Sequence, residues 1–118
     1  VSGVDLVQWL RDQLDEDERV ARACSGDGQW AERDIAIYGP DLGAEVLAHM
    51  ARHDPARVLR EIEAKRQILK EWQMLTAARS SDPSDDTARV GLLAIEVVLQ
   101  SLAPVYRDRP GYRSEWAP

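Results

Sequence analysis

Two histidines, His49 and His53, stand four residues apart in the stretch HMARHDPARV. On a helix that spacing places both imidazoles over one point of one face, a common way to present two metal ligands. Asp17 is the candidate third ligand, and Asp54 follows His53 directly. A nitrogen–oxygen set of this kind suits a divalent zinc, iron or manganese ion. The HExxH glutamate of a metallopeptidase is absent. The plainer account makes Asp17 half of a buried hydrogen-bonded pair with one histidine or with Arg66, because a carboxylate inside a core requires a partner. An Asp17–His53 pair would also raise the histidine pKa and suit acid–base chemistry. No nucleophile accompanies it: GxSxG is missing, and Arg22 is the one basic neighbour of Cys24. The glycines are scattered, with no phosphate-cradling loop. No residue is therefore assigned a catalytic role, and no cofactor beyond a candidate divalent metal is expected.

A second constellation is basic. Arg52, Arg57, Arg60, Lys65, Arg66 and Lys70 alternate with Asp54, Glu61 and Glu63. Farther on, Arg107, Arg109 and Arg113 stand among Tyr106, Tyr112 and Trp116. Arg57, Arg60, Arg66, Tyr106, Arg109, Tyr112 and Trp116 are thus the candidate binding residues, for nucleic acid or an acidic partner. Against nucleic acid stands the net charge of -6, whose field repels polyanions. Helix-internal ion pairs, and arginines packed on the tail's own aromatics, account for the same residues.

The elements that must position these groups read as helices. Over 4–24, Leu6, Val7, Leu10, Leu14 and Ala21 form an amphipathic stripe, with Trp9 and Val20 beside it. Asp17 falls inside that apolar arc, whereas Asp15, Glu16 and Glu18 point away from its centre. Residues 25–40 open on the turn signal Ser-Gly-Asp-Gly and read as an ordered loop carrying Trp30. Ile35-Ala36-Ile37-Tyr38 has strand-like composition, but a lone strand finds no partner. A second helix is expected over 41–52, with Asp41 as N-cap and Leu42, Val46 and Met50 as its stripe. The third, over 55–78, has the clearest start in the chain: Asp54 as N-cap and Pro55 at the first helical position. Val58, Leu59, Ile62, Leu69 and Trp72 are its core face, and Glu61–Lys65 and Glu63–Arg66 its staples. Residues 80–86, SSDPSDD, read as a polar linker. The last helix, 87–103, is apolar almost all round, as befits a bundle centre or a subunit interface. The tail, 104–118, carries three aromatics and should fold back over the bundle.

At 118 residues, 44% hydrophobic and 31% charged, the chain reads as one domain, 1–118. The single cysteine and the missing signal-peptide pattern suggest a reducing, cytoplasmic setting. No run approaches about 18 consecutive apolar residues, so no membrane role is expected.

HMARHDPARVLREIEAKR, YRDRPGYRSEWAP and the opening LVQWLRDQLDEDERVAR together resemble an actinobacterial and phage family of small uncharacterised helical proteins. The resemblance covers well over half the chain and implies no established activity. Relatives often carry a cysteine pair in the loop before the last segment; here that loop is SSDPSDD, without cysteine. Any metal held by that pair in relatives has no counterpart here. The expected architecture is all-α, an irregular four-helix bundle with the last helix central and the tail packed across it. The expected function is that of a small accessory or regulatory module working through protein contacts, with homodimerisation the candidate mode. A metal-binding protein centred on His49, His53 and Asp17 is the alternative, and nucleic-acid binding through the Arg52–Lys70 face a second.

Overall fold

The computed structural model describes residues 3–24 and 26–118; Ser25, the first residue of the expected turn, lies outside them. The fold is all-α. Five helices follow one another: α1 (Gly3–Ala23), α2 (Glu32–Tyr38), α3 (Ala44–Arg52), α4 (Pro55–Ser81) and α5 (Asp86–Leu102). Two short 3-10 turns, Ala103–Tyr106 and Ser114–Trp116, shape the tail. The chain divides into two compact units, one of residues up to Leu14 with Ala64–Pro118, the other of Asp15–Glu63. α1 and α4 contribute a segment to each.

In the first unit the α1 stripe is buried as its spacing predicts: Leu6, Val7, Leu10 and Leu14 are all in the core. Leu69 and Trp72 of α4 are buried likewise. The tail returns over α1 through Trp9, whose ring lies 6.2 Å from Tyr106, 5.7 Å from Tyr112 and 5.2 Å from Trp116. The Trp9 indole N–H donates to the Pro110 carbonyl at 3.0 Å. Gly111 makes that approach possible. Its φ is +87°, and a Cβ there would stand 2.8 Å from Trp9 Nε1. Tyr106 and Trp116 are both buried and belong to the core.

α5 is not central. Only Ala88 and Leu99 of this helix are buried, and Gly91 lets Leu75 of α4 come against its backbone. The opposite side stands open: Val90 is 55% exposed, Leu93 57%, Val97 57% and Val98 40%. The helix starts at Asp86, one residue earlier than expected, because the Asp85 carboxylate accepts from the Ala88 amide at 3.0 Å. α4 in turn runs three residues past its expected end, which shortens the linker to 82–85. The stretch Asp86–Tyr106 spans 21 residues and contains an 18-residue window of mean hydropathy 1.5, long and apolar enough to cross a membrane by length and composition. Counting uninterrupted apolar residues misses it because Arg89, Glu96 and Gln100 break the run without lowering the average enough.

In the second unit the expected loop contains a helix. Glu32 and Asp34 sit in the first turn of α2, where carboxylates complement the helix dipole. Ile35 is buried, α2 packs on α3, and Gly39 ends α2 by donating to the Ile35 carbonyl at 3.0 Å. A seven-residue helix pairs part of its backbone within itself, which a lone strand cannot. α3 starts at Ala44 with Gly43 as N-cap, displacing the expected Asp41. Asp41 lies in a turn closed by Leu42 N–H to the Gly39 carbonyl. Of the expected stripe, Leu42 lies before α3 and is exposed, Val46 is exposed and Met50 is half-buried.

Candidate functional site

His49 and His53 do come together. Their rings stack at 4.3 Å with an interplanar angle of 30°, and His53 Nδ1 lies 2.8 Å from the His49 carbonyl. That contact uses Nδ1 as an N–H donor, so the acceptor nitrogen of a neutral His53 is Nε2. Both histidines are exposed, and α3 buries no residue. Asp17 is half-buried on α1. Among the described residues no three His, Cys, Asp or Glu side chains gather as a metal-holding group. The pair is present, therefore, without a completed ligand set.

Asp54 is the best-organised polar group of this unit. Its Oδ1 accepts from the Arg57 amide at 2.8 Å and its Oδ2 from the Trp30 amide at 3.1 Å. The Ala56 amide donates to the Gly28 carbonyl at 3.0 Å. Two orphan donors of the α4 N-terminus are thereby satisfied, and the 26–30 loop is fixed against it. Gly28 has φ +77° and lies against Pro55 and Ala56, so a side chain there would be both strained and crowded. The Asp54 carboxyl is held below the usual carboxylate range, first by the Arg57 amide; the Trp30 amide and the Arg60 and Arg57 charges add to this, while burial opposes it.

The basic residues divide between the units. Arg57 and Arg60 belong to Asp15–Glu63, whereas Arg66, Tyr106, Arg109, Tyr112 and Trp116 belong to the other unit. Arg57 pairs with Glu61 at 2.9 Å and donates to the Arg52 carbonyl at 3.0 Å. Lys65, expected to staple to Glu61, donates instead to the Tyr106 hydroxyl at 2.9 Å. Arg66 is half-buried and Tyr112 likewise. In the tail, Arg109 lies over the Tyr106 ring at 4.9 Å and Arg113 over Trp116 at 5.2 Å. Arginine on its own aromatics is thus the arrangement found, and the buried Tyr106 and Trp116 offer no face for stacking bases.

Two features escaped the sequence reading. One is the open side of α5, where 88, 91 and 99 pack while 90, 93 and 97 do not; apolarity on both sides hid the distinction. The other is a concave surface of the second unit. An apolar-walled concavity of about 520 Å³ is lined by Cys24, Trp30, Asp34, Ile35, Tyr38 and Met50. Another, of about 550 Å³, includes Asp27, Trp30, Asp34, Asp54 and Arg60. The helical spacing of Asp34, Ile35 and Tyr38 was the signal available in the sequence.

Fold and surface define a small all-α protein with one open apolar helix face and a loop-bound acidic concavity. Residues 3–118 match the profile described as "Family of unknown function (DUF6221)", and the chain belongs to that family. The search of curated proteins found no match, and neither did the search of solved structures.

Proposed function

We propose that this chain is a small accessory or regulatory interaction module whose α5 face pairs with the same face of a second copy. The observation carrying this reading is the uncovered apolar stripe on α5, Val90, Leu93 and Val97, with Val98 beside it. Contiguous exposed apolar surface of this kind marks interaction sites. Val90 and Val97 are seven residues apart with Leu93 between them, the register of β-branched a and leucine d positions that favours two-stranded packing. No charged side chain interrupts these three positions.

Light scattering coupled to size exclusion across a concentration series tests the pairing. Twice the chain mass is expected at the higher concentrations, and Val97→Glu should return the protein to the monomer with its far-UV circular dichroism unchanged, because position 97 is exposed. A wild-type monomer at every concentration overturns the proposal. Sedimentation with lipid vesicles, lost in Val97→Glu, from a protein that stays monomeric would replace it with a membrane-facing role for the same helix.

A further inference from the structure

The Asp15–Glu63 unit carries two concavities that share Trp30 and Asp34. One has apolar walls and the other is acidic. We propose that together they form a binding site for a small organic cation with an apolar body, a ligand class independent of the α5 pairing. The apolar part lies against Trp30, Ile35 and Met50, and the ammonium or guanidinium group at Asp34.

Four observations carry this. First, Asp34 is exposed on the first turn of α2, and its carboxylate has no hydrogen-bond or ion-pair partner among the described residues. The other two carboxylates differ: Asp54 is engaged through both oxygens, and Asp27 accepts from the Gln29 amide at 2.9 Å. Second, the concavity is lined by three carboxylates, Asp27, Asp34 and Asp54, against Arg60, with Arg57 acting on Asp54 from beside it, so the acidic side still retains net negative charge. An anionic ligand would be repelled, and a neutral one would gain no attraction from Asp34. Third, Trp30 and Tyr38 line the apolar side, and an aromatic face beside a carboxylate is the chemistry that recognises organic cations. Tyr38 is 92% exposed, a position free to close over a ligand. Fourth, Trp30 is held in place before any ligand arrives, because Asp54 binds its amide and Gly28 ties the loop to α4. Preorganisation of this kind lowers the ordering cost of binding.

The test is a ¹H–¹⁵N correlation titration of the full chain with three probes of one shape: 2-phenylethylammonium, neutral 2-phenylethanol and anionic 3-phenylpropionate. Saturable shifts are expected with the ammonium at the Trp30 indole N–H and the amides of 34–38, with affinity roughly tenfold above that of the alcohol. The propionate should produce none. Asp34→Asn, an exposed substitution that leaves the fold intact, should bring the ammonium down to the affinity of the alcohol. Equal binding of ammonium and alcohol, an ammonium affinity unchanged in Asp34→Asn, or no saturable shift with any probe up to about 10 mM, where even millimolar affinity would register, overturns the proposal.

Discussion

The carboxylate of Asp54 holds two separate stretches of backbone at once, the α4 N-terminus through Arg57 and the 26–30 loop through Trp30. An alanine there removes both acceptors. Asp54→Ala is expected to cost about 1–2 kcal/mol in urea denaturation at pH 7, the range of a strong N-cap. The pH dependence follows from the lowered carboxyl pKa. A depressed acid stabilises fully above the unfolded carboxyl value of about 3.9, and that contribution disappears as pH falls through the lower folded value. The gap between wild type and Asp54→Ala should therefore narrow when the titrations are repeated from pH 5 downward. A gap that widens in acid would contradict the assignment. Asp54-Pro55 was also the residue pair most legible in the sequence, because a cap and a first-turn proline act locally. Its bond to Trp30, 24 positions away, has no local signature.

Among the elements, α4 carries a built-in weakness. Trp72 Nε1, Thr76 Oγ1 and Arg79 Nη1 are buried there without hydrogen-bond partners among the described residues. Spacings of four and three place them on one face of the helix. An unpaired buried hydroxyl costs about 1–3 kcal/mol, whereas valine fills nearly the same volume and has comparable helix propensity. Thr76→Val is accordingly expected to stabilise the protein by about 1 kcal/mol, read as a higher melting temperature. A lower melting temperature would mean that the hydroxyl finds a partner. At this scale the legibility of the sequence tracks how much of an element's fate is decided by its own period. The α1 stripe declared itself, and Leu6, Val7, Leu10, Leu14 and Ala21 are all buried. α2 did not, because seven residues contain too few turns for a stripe and only Ile35 is buried. α5 was legible as a helix but not in its placement, since apolar residues on all sides fit a central position and an open one equally well.

For the whole molecule, pairing through α5 would tie stability to protein concentration, because an assembly that forms only from folded chains stabilises them by mass action. The melting temperature should rise across a concentration series for the wild type and stay flat for Val97→Glu. A flat wild-type series argues for independent monomers. Each chain would bring its net charge of -6 to such a pair, and the summed negative charge would oppose polyanion binding at long range. The candidate nucleic-acid residues were drawn from adjacency in the sequence, but half-buried Arg66 and buried Tyr106 and Trp116 are placed by packing. Composition could not separate an arginine–aromatic cluster that reads a ligand from one that closes a core.

The four tryptophans also give the protein an optical division of labour. Trp9, Trp72 and Trp116 are buried in the unit that contains the tail, whereas Trp30 is half-buried and alone in the 15–63 unit. Ultraviolet emission therefore contains a shielded blue component from three indoles and a more solvated, quencher-accessible one from the fourth. A neutral quencher such as acrylamide would silence the half-buried Trp30 first, so the concave surface of α2 and its loop can be followed by fluorescence in the unlabelled protein.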